Sequence, residues 1–188
     1  MSIKGTRTEQ NLLKSFAGES LARNRYALFA EKARSEGFEH IAAYFEFAAK
    51  QEDRHSIVFA EHLKEGGVKA PAVTFPTLEA GSTVENLQFA AEGERMEGNS
   101  IYPDFANIAK EEGFSKISVA FSILSEIEKR HEERFRHYLS SQSEFATIKK
   151  SDKSTWSCQS CGYEQTSEKI PEICPFCNQS LTITDSCA

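Results

Sequence analysis

Near residue 128 the apolar stripe of a predicted helix contains a carboxylate and an imidazole. In ISVAFSILSEIEKRHEERFRHYL the stripe residues are spaced four and three apart, as on the buried face of an amphipathic helix. They are Ile117, Phe121, Leu124, Glu128, His131, Phe135 and Tyr138. Glu128 and His131 occupy positions where Leu or Phe is expected, so the fold has to compensate for burying them.

The same substitution occurs 76 residues earlier, which makes the two segments an internal repeat. The earlier stripe is Ile41, Phe45, Ala48, Glu52, His55 and Phe59. The recurring polar pairs include Glu52 with Glu128, His55 with His131, and Arg54 with Arg130. Of these, only the Glu and His pairs lie on the apolar stripe, and they are therefore the candidate ligands.

Helical periodicity fills about the first 143 residues and predicts four helices. The first begins at a capping box of Thr6 and Glu9, and the second runs from about residue 38 to 65. The third begins at a capping box of Ser82 and Glu85, bends at Pro103 and ends near 112, and the fourth runs from about 114 to 143. Short turns at SEGF and EEGF predict two hairpins, and GGVKAPAVTFPTLEAG predicts one long crossover. This mainly α arrangement is the ferritin-like four-helix bundle.

The first and third helices also have inward-facing glutamates. Their predicted stripes are Leu12, Phe16, Glu19 and Tyr26, and Val84, Leu87, Ala90, Glu94, Glu97, Ile101, Phe105 and Ile108. Each buried carboxylate costs several kcal/mol, a cost that bound cations remove. One Glu from each of two helices plus Glu-x-x-His from each of the others is the pattern of di-iron carboxylate bundles. The predicted ligands are Glu19, Glu94, Glu52, His55, Glu128 and His131, with Glu97 as an additional one. Oxygen ligands with imidazole suit iron or manganese.

A second metal site is predicted near the C-terminus. Two CxxC pairs, Cys158 with Cys161 and Cys174 with Cys177, are separated by twelve residues. Four thiolates at this spacing indicate a tetrahedral site for zinc or iron, and the spacing does not distinguish these metals. The segment is too short to fold around an apolar core of its own. We therefore predict two domains, 1–146 and 147–188, with Cys187 as a bystander thiol.

Charge and hydropathy exclude several classes of protein. The formal charge is −6 and there is no basic stripe, so no nucleic-acid binding is expected. The N-terminus MSIKGTRTEQ is polar, and no apolar run approaches the ~20 residues that cross a bilayer. These features predict a cytoplasmic protein without a membrane partner.

The chain resembles the rubrerythrins over nearly its whole length. The matching stretches are KGTRTEQNLLKSFAGESLARNRY, QEDRH, EGERMEGNSIYPDFA, EIEKRHEERF and CQSCGY…CPFC. The resemblance implies a di-iron bundle followed by a small β-rich rubredoxin-like domain. One iron would be held by Glu19, Glu52 and either Glu97 or His55, exchanged on reduction. The other would be held by Glu94, Glu128 and His131, with Glu52 and Glu128 bridging. Tyr26 and Tyr102 match tyrosines that hydrogen-bond to the ligating carboxylates.

The resemblance also implies an activity and partners. The expected reaction is reduction of hydrogen peroxide at the di-iron centre, with Glu97, His55, Tyr26 and Tyr102 as catalytic residues. Iron is favoured over zinc at the four cysteines, where it would relay electrons from an external NAD(P)H-dependent reductase or rubredoxin. The ligands lie mid-bundle and the second domain leaves from one end, a separation that the family resolves by dimerisation. By this resemblance at least a homodimer is expected, with one subunit's four-cysteine iron beside the partner's di-iron centre.

Two other functions are compatible with these residues. A ferroxidase would use the same bundle to oxidise Fe(II), although iron storage requires no four-cysteine domain. A redox or metal sensor would carry zinc in the ribbon and contact a partner. Colour distinguishes the two metals, since a ferric four-thiolate site is red and the zinc site is colourless.

Overall fold

The helices form a four-helix bundle in which the third member is interrupted. The computed structural model describes residues 2–63, 79–140, 155–166 and 171–181. The helices are α1 (Arg7–Ser35), α2 (Glu39–His62), α3 (Thr83–Met96), α4 (Tyr102–Glu111) and α5 (Ser115–Ser140), with a π-helical turn (Glu97–Ile101) between α3 and α4. Helix α1 packs on α2, and α3 and α4 pack on α5, as the two predicted hairpins require. The crossover, the predicted ends of the second and fourth helices, the 146/147 boundary and Cys187 lie outside the described residues.

Both hairpins turn at a glycine in the left-handed region. Gly37 has φ +86° and Gly113 has φ +84°, a conformation that side chains disfavour. The Phe38 amide donates to the Ala33 carbonyl at 2.9 Å, and the Phe114 amide donates to Ala109 at 2.8 Å. These six-to-one bonds are Schellman caps, which satisfy carbonyls at the helix ends and reverse the chain. The SEGF and EEGF turns are therefore confirmed.

Only one of the two predicted capping boxes is complete. Ser82 accepts from the Glu85 amide, and the Glu85 carboxylate accepts from the Ser82 amide. Thr6 likewise accepts from the Glu9 amide at 3.1 Å. The Glu9 carboxylate, however, accepts from Gly5 at 2.7 Å instead of from Thr6. The first predicted box is therefore wrong in one of its two bonds, because the Thr6 amide donates to the Ile3 carbonyl at 3.2 Å instead.

The π-helical turn shifts the buried face of the third helix by one residue. Before the turn, Leu87, Ala90 and Glu94 are buried as predicted. After it the buried residues are Gly98, Tyr102, Ala106 and Ala109, each one position beyond the predicted Glu97, Ile101, Phe105 and Ile108. A π turn adds one residue to a helical turn, which rotates everything after it. The prediction of a simple bend at Pro103 missed this rotation.

Two other predicted inward residues face solvent. Phe16 and Val84 are each 40% exposed. The preceding polar residues, Ser15 and Thr83, are buried instead, at 4% and 1% exposure. Assigning the stripe by hydrophobicity alone therefore chose the wrong neighbour at both positions.

Two aromatic-rich clusters divide the bundle along its axis. One includes Tyr26, Phe45 and Phe135, and the other includes Leu12, Phe59 and Phe121. On each of the four long helical segments, the inward glutamate lies between residues of these two clusters. The polar residues therefore form a single layer in the middle of the bundle, enclosed by apolar packing on both sides.

Candidate metal centre

Six predicted ligands meet in the polar layer. They form two groups whose possible ligand atoms lie within 4.8 Å of one another: Glu19, Glu52, His55 and Glu128, and Glu52, Glu94, Glu128 and His131. All six are buried, with exposures of 4% or less. Glu52 and Glu128 belong to both groups, which is the position of bridging carboxylates. The arrangement is a carboxylate–histidine site of the di-iron type.

The two histidines direct the same ring nitrogen towards the carboxylates. His55 Nδ1 lies 2.7 Å from Glu52 and 3.3 Å from Glu128. His131 Nδ1 lies 2.8 Å from Glu128 and 3.2 Å from Glu52. Because ionised carboxylates only accept hydrogen bonds, each Nδ1 needs either a proton or a cation in this position.

The opposite nitrogen of each ring contacts an oxygen acceptor. His131 Nε2 lies 2.7 Å from Gln51 Oε1, and His55 Nε2 lies 3.0 Å from the backbone oxygen of Cys161. Under the 76-residue repeat, Gln51 corresponds to Ile127, which has no polar side-chain atom. The bundle thus supplies an acceptor for His131, while the four-cysteine unit supplies the one for His55. Both contacts favour the tautomer with hydrogen on Nε2, leaving Nδ1 free to bind metal.

Two buried tyrosines hold the terminal carboxylates. The Tyr26 hydroxyl donates to Glu94 at 2.5 Å, and the Tyr102 hydroxyl donates to Glu19. Tyr102 reaches Glu19 because the π turn places it on the buried face. The sequence-based pairing of tyrosines with ligating carboxylates is consistent with these bonds.

Burial and mutual repulsion make the metal-free site retain protons. Burial, reinforced by the charges of Glu52 and Glu128, raises the pKa of Glu94 to about 8. Burial also raises the pKa of Glu19 well above its ordinary value. For His55, burial lowers the pKa, but the charges of Glu128 and Glu52 outweigh it and raise the pKa well above its ordinary value. Metal ions would replace these protons.

The unsatisfied atoms of this layer fit a pair of metal ions. Buried atoms without a hydrogen-bond partner include Glu52 Oε1, Glu94 Oε2, both Glu128 oxygens and His131 Nδ1. All of them belong to predicted ligands and face the centre of the groups. Leaving such atoms unpaired in a protein interior is costly, and coordination by cations would satisfy them together.

Glu97 lies outside both groups, at an adjacent cavity. It is partly buried and lines a cavity of about 350 Å³. The other lining residues are Lys14, Ser15, Gly18, Ser100, Ile101, Tyr102, Asp104 and Phe105. Burial, followed by the charges of Glu19 and Glu94, raises the pKa of Glu97 well above its ordinary value. Of the two residues predicted to alternate at one metal, His55 is in the group and Glu97 is not; the exchange itself stays a prediction.

The four cysteines form the second site. They are 1% exposed or less, and their Sγ atoms are 3.8 Å apart in the pairs Cys158–Cys177 and Cys161–Cys174. Metal–sulfur bonds of about 2.3 Å in a tetrahedron give edges of about 3.8 Å. Each CxxC is held by a turn in which Gly162 donates to Cys158 at 2.8 Å, or Asn178 to Cys174 at 2.9 Å. Strands β1 (Thr155–Ser157) and β2 (Glu164–Thr166) pair antiparallel beside the first turn. Here the residues fit one four-coordinate ion.

The four-cysteine unit packs on α2 and α5 at the level of the glutamates. Val58 packs against the four cysteines. A Cβ at Gly162 would lie 3.2 Å from both Gln51 and Ile127, which is a tight contact, and the φ of +71° also favours glycine at this position. The expected distance between the two sites within one chain is therefore not found, and the contact requires no second subunit. That removes the geometric reason for a dimer, and the homodimer stays a prediction.

Sequence reasoning missed the groups that join the two sites. Gln51 is 2% exposed, but it lies beside the predicted stripe and breaks the repeat. Its signal is that break: a polar residue next to a ligand, replaced by Ile127 in the other copy. The Cys161 carbonyl is a backbone group, and no side-chain pattern could have revealed its role.

Comparison with known proteins places the chain among characterised folds. The family model described as rubrerythrin matches residues 10–139, and that of the rubrerythrin rubredoxin-like domain matches residues 156–180. Rubrerythrin of Porphyromonas gingivalis is 43% identical over 176 residues, covering 94% of this chain and 88% of that protein. Rubrerythrin-1 of Clostridium acetobutylicum is 38% identical, covering 94% and 92%. A structure of nigerythrin in its fully reduced, all-ferrous state has a TM-score of 0.69 at 31% identity, covering 95% and 88%.

Hydrophobicity adds one observation about the helices. Among the residues that the structure describes, none of the helices is both long and apolar enough to cross a lipid bilayer.

Proposed function

The chain belongs to the rubrerythrin family, and on that basis we propose that it is a non-haem di-iron peroxidase that reduces hydrogen peroxide to water. The observation that carries the proposal is the contact between the Cys161 carbonyl and His55 Nε2, at 3.0 Å. It connects a ligand of the four-cysteine site to a ligand of the carboxylate site. A built-in electron supply suits an enzyme that must be re-reduced after each turnover.

The carboxylate layer would hold two iron ions. One would bind to Glu19, Glu52 and His55, the other to Glu94, Glu128 and His131, with Glu52 and Glu128 shared. When bound as ferrous ions, they supply the two electrons that, with two protons, convert hydrogen peroxide into two molecules of water. Hard carboxylate oxygens suit the ferric product, and the all-ferrous state named for nigerythrin supports iron in this fold.

The cavity beside Glu97 is the proposed approach for peroxide. It reaches Tyr102, whose hydroxyl donates to the ligand Glu19. The raised pKa of Glu97 lets its carboxyl hold a proton close to the site. We assign Glu97 two roles: providing a proton to the departing oxygen, and exchanging with His55 once the site is oxidised.

The two tyrosines would orient the terminal carboxylates. Tyr26 fixes one oxygen of Glu94 and Tyr102 fixes one oxygen of Glu19, leaving the other oxygen of each to face metal. Both phenols stay protonated, because burial raises the pKa of Tyr26 and of Tyr102 well above the ordinary value. Ligands fixed in this way keep a constant geometry through successive turnovers.

Electrons would enter through the four-cysteine site. Iron there carries one electron at a time, whereas zinc would carry none. A cytoplasmic NAD(P)H-dependent reductase or a rubredoxin is the proposed donor, and each turnover draws two electrons from it. A ferroxidase takes its electrons from Fe(II) itself and does not use this connection, and a zinc-containing sensor does not conduct electrons.

Anaerobic turnover assays test the proposal. Iron-loaded protein is given an NAD(P)H-dependent rubredoxin reductase, and NAD(P)H consumption is compared with hydrogen peroxide and with a measured amount of oxygen as the oxidant. In a separate assay excess Fe(II) replaces NAD(P)H as the reductant, and Fe(II) oxidation by the same two oxidants is followed. We expect peroxide to give the fastest NAD(P)H oxidation. Oxidation of Fe(II) that outpaces peroxide reduction would instead establish a ferroxidase, and zinc in the four-cysteine site would remove the relay.

A further inference from the structure

Two arginines contact the four-cysteine unit, and neither has a role in the proposed chemistry. Arg54 donates to the backbone oxygen of Cys177, and Arg130 Nη2 donates to the backbone oxygen of Gly162 at 2.9 Å. The side chains are 14% and 33% exposed, so both are substantially withdrawn from water. Cys177 is a predicted ligand, and Gly162 directly follows another, Cys161.

The arginines occupy the same position in the two copies of the internal repeat. Each copy reads Glu-x-Arg-His, as Glu52 to His55 and as Glu128 to His131. The Glu and His of each copy point into the bundle and contact the carboxylate layer. The Arg precedes the His by one residue, about 100° around the helix, and so projects from the side of the bundle.

We propose that Arg54 and Arg130 form a two-point clamp that docks the four-cysteine unit over His55 and raises the reduction potential of its iron. They are positioning residues, since their hydrogen bonds go to the backbone of the four-cysteine unit. Each arginine holds a different CxxC turn. Arg130 binds Gly162, just after the first pair of cysteines, and Arg54 binds Cys177 in the second pair. The inference rests on the proposed electron relay and assigns residues to its geometry.

Charge gives the clamp its second effect. Four thiolates with ferric iron carry a net charge of −1, and with ferrous iron −2. A nearby guanidinium therefore stabilises the reduced form more than the oxidised form, which raises the potential. Removing the positive charges favours the ferric form and lowers it. Loosened docking would also change the exposure of the site to water and so its potential, and variants that keep the positive charge separate the two effects.

Docking also explains the fixed distance at His55. The Cys161 carbonyl reaches His55 Nε2 only while the unit stays against α2 and α5. Arg130 holds the residue immediately after Cys161, and its Nε also lies 3.8 Å from Glu164 on β2. Loss of both arginines would loosen both CxxC turns. It would also lengthen the electron path from the four-cysteine site to the carboxylate layer.

The test combines Arg54→Gln and Arg130→Gln, singly and together, in the iron-loaded full chain. Two quantities are measured: the potential of the four-cysteine iron by spectroscopic titration, and the rate at which its colour returns when reduced protein meets hydrogen peroxide. We expect the double variant to return colour about tenfold more slowly than wild type. Its ratio of oxidised to reduced iron at fixed potential should rise about threefold, which corresponds to a fall of about 30 mV at roughly 59 mV per decade.

Two further variants keep the test decisive. Arg136→Gln removes the same charge from the same helix, where Arg136 pairs with Glu132 at 2.7 Å, and should leave both quantities unchanged. Arg54→Lys with Arg130→Lys keeps both charges, so its potential should stay near that of wild type. A double Gln variant with wild-type potential and rate overturns the clamp. If wild type itself never regains colour with peroxide, the proposed function fails, while the potentials still decide whether the clamp exists.

Discussion

Cys161 and His55 lie 106 positions apart in the sequence, and the backbone oxygen of Cys161 lies 3.0 Å from His55 Nε2. The cysteine belongs to the four-thiolate site and the histidine to the carboxylate layer. Because the His55 ring also directs Nδ1 at Glu52, a single imidazole connects the two sites. The relay we propose depends on this connection more than on any other contact.

Replacing His55 or Glu97 should impair peroxide turnover without unfolding the protein. His55→Ala removes both a ligand and the contact with Cys161, and Glu97→Ala removes the proposed proton donor. We expect turnover to fall at least about 100-fold for His55→Ala, the scale expected when an essential proton-transfer or ligating group is lost. Absorbance of the four-cysteine iron reports on the fold. His40→Ala, on the exposed first turn of the same helix, is the matched control, and unchanged turnover in both site variants would refute the exchange of His55 and Glu97.

Gln51 should tune iron binding although it does not contact metal. Gln51→Leu leaves His131 Nε2 without its acceptor, so the ring loses the tautomer and orientation that the 2.7 Å contact favours. Loss of such a partner typically weakens metal binding about 10–100-fold. Competition with a chelator measures the affinity, and Gln51→Glu, which retains an acceptor oxygen, should lose less. Equal affinity in Gln51→Leu and wild type would mean that the contact does not orient His131.

Much of this architecture could be predicted because a buried ionisable residue on a helix stripe is a specific signal. Glu52, His55, Glu128 and His131 were identifiable from spacing alone, since few other arrangements compensate for carboxylates in a core. The third helix was harder. Its π turn adds one residue without a sequence signature beyond the nearby Pro103, so Gly98 and Tyr102 take the buried positions that simple periodicity assigned to Glu97 and Ile101. Contacts made by backbone atoms, such as the Cys161 carbonyl, leave no pattern in side chains.

The metal-free protein should lose stability as pH rises above neutrality. The folded pKa of Glu94 is raised from 4.5 to about 8, so the native state holds this proton more tightly than the unfolded state. That stabilisation is complete below the pKa of the unfolded state and is lost as pH rises through the pKa of the folded state. The raised pKa values of His55 and His131 change the stability in the same direction.

Thermal unfolding after chelation measures this effect. Each kcal/mol lost lowers Tm by roughly 2–4 °C in a chain of this size, and we expect a fall of several degrees between about pH 6 and about pH 8.5. Iron-loaded protein is the control, because metal replaces the protons and binds more tightly as pH rises. A Tm of the metal-free protein that increases over this interval would contradict the assignment.

The predicted homodimer can be tested by complementation. Cys158→Ser abolishes the four-cysteine site, and Glu128→Ala abolishes the carboxylate site, so neither variant alone should turn over peroxide. If partner chains exchange their four-cysteine units, refolding an equal mixture places one working pair of sites in half of the dimers, and about a quarter of wild-type activity should return. Because the unit docks on α2 and α5 of its own chain, we expect no recovery. Recovery to about a quarter of wild-type activity, in a mixture shown by mass to contain mixed dimers, would mean that partner chains exchange their units.

The most direct test is a single anaerobic turnover. Fully reduced, iron-loaded protein is mixed with one equivalent of hydrogen peroxide per chain, and the absorbance of the four-cysteine iron is followed alongside residual peroxide. We predict that peroxide disappears and that the red colour returns promptly afterwards, much faster than with an equal amount of oxygen. Peroxide consumed while the four-cysteine iron stays colourless, or a faster return of colour with oxygen, would contradict a peroxidase with a built-in relay.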